Sequence, residues 1–256
     1  MNRLFAPLAA LLLGSTPLDT RADTALIAAA SSLKWALPEA VELFESRHRG
    51  RLRISYGSSG NFQRQILEGA PFELFLAADG SYVRALHQAD LTKDDGTVYA
   101  LGRLAFYARH GSALKPDSEL RSLASGIASG AIQRFAIANP KHAPYGRAAR
   151  DALHTADIWQ LLRPLLVIGE NAAQAARFAS TDTVQGGLIP LSLALTPTLS
   201  SLGSHEVISA TLHTPLHQRM VLMRNAGPTA QAFYTWLTMA EARELLRRHG
   251  FAPPPG

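Results

Sequence analysis

Short apolar runs alternate along the chain with segments whose apolar residues return every three or four positions, and the alternation begins near residue 24. The runs at 24–29, 52–56 and 74–77 read as strands, and helical patterning follows each of them, at 33–47, 61–68 and 81–87. Leu33, Leu37, Val41 and Phe44 fall on one face of the first helix, and Gly69 stands where the second would end. The stretch 98–109 is extended and apolar. After it, Asp117-Ser118-Glu119-Leu120 opens a helical turn, and 132–138 is a buried strand ending at Asn139-Pro140. Helices are expected around 146–154 and over 172–179, strands at 165–168, 207–210 and 218–224, an apolar segment at 187–194 and a serine-rich loop at 198–204. The segment 229–249 is helical, with Phe233, Leu237, Leu245 and Leu246 on a core face, and packs back on the first half of the chain. This order predicts an α/β fold of mainly parallel sheets flanked by helices.

The first residues are patterned differently. Met1, Asn2 and Arg3 precede an apolar run from 4 to 13, and Thr20-Arg21-Ala22 supplies small residues for cleavage after Ala22. Residues 1–22 therefore read as a secretory signal peptide, too short in its apolar part to span a bilayer, and the mature protein is expected in the periplasm. No linker or repeat divides the remainder. Extended crossovers near 101–103 and 214–219 would join two lobes, one built from 23–102 and 216–256 and the other from 103–215.

Composition narrows the classes. A chain of 256 residues with 47% hydrophobic and 18% charged content can bury a core. It has no cysteine, which rules out disulfides, thiolate metal sites and cysteine nucleophiles. The formal charge of +5 falls to +4 once Arg3, Arg21 and Asp19 leave with the leader. A modest positive field suits an anionic ligand, but the basic residues are dispersed without interleaved aromatics, so nucleic-acid binding is not expected.

Four segments place small or polar residues where a strand gives way to a helix: Ala30-Ser31-Ser32, Gly57-Ser58-Ser59-Gly60, Ala143-Pro144-Tyr145-Gly146 and Gly169-Glu170-Asn171-Ala172. The first turn of a helix offers free N–H groups and the positive end of its dipole, and a serine hydroxyl adds a donor. In a parallel sheet such turns gather at one edge. Two from each lobe would surround a small anion with neutral donors, although Ser32 and Ser59, each taken alone, read first as helix N-caps, a role compatible with anion binding.

Taken in order, these segments, with Glu68-Gly69-Ala70-Pro71, Ala77-Ala78-Asp79, Asn139-Pro140 and the ending 233–251, resemble the periplasmic molybdate-binding proteins over essentially the whole mature chain. The resemblance implies a two-lobed, type II periplasmic-binding-protein fold that closes on molybdate or tungstate and delivers it, as a monomer, to the permease of an ABC importer. It carries ligand contacts onto Ser32 and Ser59, through hydroxyl and N–H, and onto Tyr145 and Ala172 through the backbone. Ser31, Ser58 and Asn171 are further candidates. The family's fifth contact, a tyrosine hydroxyl, corresponds to Pro190, which has neither hydroxyl nor N–H, so either the site has four contributing positions or a neighbour such as Tyr145 or Ser58 supplies the replacement.

Other classes fit less well. Gly57-Ser58-Ser59-Gly60 looks like a nucleophile elbow, but Asn61 stands where the second glycine is needed. His213 and His217 are four apart with Pro215 between them, which breaks the helix that would align a metal pair. Neither an enzyme nor a cofactor is expected. A sulfate-type oxyanion carrier, or an oxyanion sensor for a membrane receptor, would share the same cleft.

Overall fold

The computed structural model describes residues 23–254, and the expected leader lies outside them. In chain order, β1 (Thr24–Ala30) leads through a 3-10 turn to α1 (Leu37–Glu45), followed by β2 (Arg51–Gly57), α2 (Ser59–Leu67), β3 (Leu74–Ala77) and α3 (Gly80–Gln88). The consecutive strands β4 (Thr97–Gly102) and β5 (Leu104–Arg109) come next, then α4 (Arg121–Ala128), β6 (Phe135–Ala138), α5 (Pro144–Thr155) and α6 (Trp159–Leu162). The chain continues through β7 (Leu166–Gly169), α7 (Ala172–Ala179), β8 (Gly186–Pro190), α8 (Leu191–Ala194), α9 (Pro197–Leu202) and β9 (Gly203–Val207). It ends with β10 (Leu216–Leu222), α10 (Pro228–Leu237) and α11 (Ala240–Arg248).

Two five-stranded sheets result, ordered β2-β1-β3-β10-β4 and β7-β6-β8-β5-β9. Each is parallel over three neighbouring strands and antiparallel where the strands flanking the crossovers enter, so the expected parallel character holds for half of each sheet. Arg103 alone separates β4 of the first sheet from β5 of the second, and 208–215 carry the chain back.

Both faces of the first sheet are covered, which accounts for its continuous apolar strands. Leu74 and Leu76 of β3 pack with Phe44, Phe233 and Trp236, while Phe75 and Ala77 face Phe62, Tyr82 and Val83 on the other side. Helix α1 starts at Leu37, with Pro38 in its first turn, and Leu33 sits in the preceding 3-10 turn. Ala40 is buried in place of the half-buried Val41. Strand β9 lies over 203–207 rather than 207–210, and the serine-rich stretch read as a loop forms α9 and the start of β9. The C-terminal helix is two helices, broken at Thr238-Met239.

The end of α11 is fastened to α1 by Glu39, whose carboxylate oxygens lie 2.8 Å from Arg248 Nη2 and 2.8 Å from His249 Nε2. The His249 hydrogen bond leads in holding Glu39 below its ordinary value of 4.5; partial burial opposes it, and Arg248 adds to the lowering. A depressed carboxyl contributes stability above its unfolded pKa and loses it as pH falls through the folded value. Glu39→Gln is therefore expected to lower the melting temperature at pH 7, with the gap to the parent closing as pH falls below 4.5. A gap that stays constant down to acid unfolding would contradict the linkage.

Candidate functional site

The parallel strands of both sheets end toward one another. Ala30 closes β1, Gly57 closes β2 and Gly169 closes β7, so three of the four segments flagged in the sequence follow directly from strand ends, and the fourth opens α5. The structure brings all four together. Ala30, Ser31, Ser32, Gly57, Ser58, Ser59, Ala78, Ala143, Pro144, Tyr145 and Ala172 line one small cavity, and no charged side chain is among them.

Ser32 and Ser59 are completely buried, and Tyr145 and Ala172 are nearly so. Among the described residues, the backbone N–H groups of Ser32, Ser59, Tyr145 and Ala172 donate to no protein acceptor, whereas those of the residues that follow Ser59, Tyr145 and Ala172 do. Gly60 N–H donates to His142 O at 2.9 Å, Asn61 N–H to Ser58 Oγ at 3.4 Å, Ala173 N–H to Ser31 Oγ at 3.2 Å and Gln174 N–H to Asn171 Oδ1 at 3.1 Å. Neither Ser32 nor Ser59 caps a helix; Ser58 and Asn171 do. Ser59 Oγ accepts the Ala78 N–H at 3.0 Å, which leaves its proton to donate, and Ser32 Oγ has no hydrogen-bond partner. Buried polar groups are normally paired, so this concentration of free donors marks a place built for an acceptor.

The electrostatics agree. Ser59 and Ala172 are the first residues of α2 and α7, and Tyr145 is the second of α5, so three helix dipoles present their positive ends to one cavity. Burial pushes the Tyr145 phenol well above its usual range. The nearby Ser32 side chain opposes this, but without a well-formed hydrogen bond.

The remaining candidates fall around this centre. Ser31 and Ser58 line the cavity, but Ser58 Oγ is engaged with Asn61 and lies 2.9 Å from His142 Nδ1. Asn171 and Pro190 are outside the lining; Pro190 is buried at the end of β8. Two residues on, Ser192 Oγ donates to Ser32 O at 2.8 Å and holds the Ser32 turn from the other lobe. The Tyr145 hydroxyl reaches over the backbone of Gly102 beside the Gln218 amide. His142 carries no sequence signature, yet it meets Gly60 and Ser58 across the cleft, and Asn61 Nδ2 donates to Glu170 Oε1 at 2.6 Å beside it. With these contacts made, the lobes are closed on one another.

The profile of the bacterial extracellular solute-binding protein family matches residues 25–252. The molybdate-binding protein ModA of Rhodobacter capsulatus is 29% identical over 244 residues, spanning 91% of this chain and 90% of that one. ModA of Azotobacter vinelandii is 29% identical over 259 residues, spanning 98% and 97%. In structure, the periplasmic molybdate-binding protein of Azotobacter vinelandii superposes with a TM-score of 0.81 at 23% identity, covering 90% of this chain and all of that one, a likeness of fold.

Proposed function

The chain belongs to the bacterial extracellular solute-binding protein family, a family of carriers rather than enzymes, and from that premise we propose that it captures molybdate between its lobes. The observation that carries this reading is the set of four unpartnered N–H groups and two free hydroxyl protons around one buried, uncharged cavity. A tetrahedral dianion has acceptors in every direction and no proton to donate, so a shell made only of donors suits it. Each charge-assisted hydrogen bond contributes about 1.5–3 kcal/mol, so several together offset the loss of the anion's water without a lysine or arginine.

The two relatives named for molybdate, each matched over nine-tenths or more of its length, support this anion over others. Tungstate shares the charge and shape of molybdate and is proposed as a second ligand. The moving units would be 23–102 with 216–256, and 103–215, hinged at Arg103 and 208–215. We further propose capture in the periplasm after removal of 1–22, and delivery by the monomer to an ABC permease, in keeping with the family role.

Calorimetric titration of the mature protein tests this directly. Molybdate and tungstate are expected to bind one to one, and Ser32→Ala and Ser59→Ala are each expected to weaken binding by about 1–3 kcal/mol. Ser59→Ala should also lower ligand-free stability, because it orphans the Ala78 N–H, while Ser32→Ala should leave it nearly unchanged. Absence of molybdate binding at high micromolar concentrations, or binding of sulfate alone, would overturn the proposal.

A further inference from the structure

Beside the cavity, outside its lining, Arg147 of α5 reaches across the cleft to Asp79, its Nη2 lying 2.6 Å from Asp79 Oδ2. The guanidinium carbon stands 4.7 Å from the centre of the Tyr82 ring on α3. Both charged side chains are about two-thirds buried, at 29% and 31% exposure, and Tyr82 is 8% exposed. We propose that Arg147, Asp79 and Tyr82 form an interlobe clasp that positions the closed lobes around the bound anion and sets its rate of escape. The inference rests on the oxyanion reading of the cavity.

Three features separate this pair from an ordinary surface ion pair, which contributes little. It is short and desolvated on one side by an aromatic face, the arrangement in which an arginine pair is strongest. It is badly placed for helix stability, because Arg147 sits in the first turn of α5, where the dipole disfavours a cation. Its position is therefore explained by what it meets across the cleft.

The third feature is its proximity to the anion. Asp79 directly follows Ala78, which lines the cavity and donates to Ser59 Oγ, and Arg147 is two residues beyond Tyr145. A lone carboxylate there would repel a dianion in the cavity. Arg147 cancels that charge only when the lobes meet, so closure both removes a repulsion and adds a charge-assisted bond. Asp79 also accepts the Ser81 N–H at 2.7 Å and caps α3, a role that asparagine can keep.

The test is the dissociation rate of molybdate, read by stopped-flow tryptophan fluorescence on the parent, Arg147→Gln, Asp79→Asn and the double variant. Each single change is expected to raise the rate about tenfold, with the association rate nearly unchanged. The double variant should be no faster than the faster single one, because both changes remove the same bond. Ligand-free melting temperatures should match the parent, an outcome that a purely structural role would not produce. Single variants that release molybdate at the parent's rate, or effects that multiply in the double variant, would overturn the clasp while leaving the site intact. A parent that binds no molybdate would instead overturn the reading of the cavity, and the clasp with it.

Discussion

Replacing Gly60 with alanine is expected to weaken molybdate binding ten- to a hundredfold while leaving the ligand-free protein folded and slightly more stable. Gly60 is the second residue of α2, and its N–H donates to His142 O across the cleft at 2.9 Å. A Cβ at this position would stand 2.8 Å from that oxygen, 2.9 Å from His142 Cβ and 3.0 Å from its Cα. All three atoms belong to the opposite lobe, and two are backbone, so the clash is relieved by parting the lobes. Overpacking of this kind costs about 1–3 kcal/mol, and here the cost falls on the closed state alone.

In the open state the same methyl group favours the helix, by up to about 1 kcal/mol. Calorimetric titration and thermal melting together would thus move in opposite directions. Gly146→Ala is the informative contrast: its Cβ would lie 2.3 Å from Ala138 O within one lobe, so the expected damage is to folding. Unchanged affinity in Gly60→Ala would mean that the ligand is held without the closure seen here.

How much of this was legible beforehand differs by element, for physical reasons. Strand β3 and helix α7 match their expected limits, since continuous apolar runs and a strong periodic face leave little choice. Helix α9 reads as a loop because half of its residues are serine or threonine, although Thr196-Pro197 is a usable start signal: Thr196 Oγ1 accepts the Leu199 N–H at 3.4 Å, and proline occupies the first helical position. The break at Thr238-Met239 has neither glycine nor proline to announce it. At the site, turn chemistry located the four donor segments because backbone N–H groups at helix starts are a local property. His142, Arg147 and Asp79 were not singled out as interlobe residues, because what distinguishes them is a partner 84 or 68 residues away, met only when the lobes close.

Ala172→Pro provides a second large and selective effect. Ala172 is the first residue of α7, where a missing N–H costs the helix nothing and the fixed φ of proline already fits. The preceding Asn171 has φ −148° and ψ 176°, the extended conformation that a following proline requires. The next N–H, of Ala173, keeps its bond to Ser31 Oγ, so the turn and its contact with the other lobe survive. What disappears is one donor facing the cavity, and ring carbons take its place. Loss of a hydrogen bond to a charged acceptor costs about 1.5–3 kcal/mol, and the ring excludes any water that would stand in, so affinity should fall by about a hundredfold at unchanged melting temperature. Ala172→Gly, which keeps the N–H and removes only the methyl group, should bind within a fewfold of the parent. If the proline variant were folded and bound molybdate as tightly as the parent, the Ala172 N–H would not be a ligand contact, and the four-donor account of the cavity would fail.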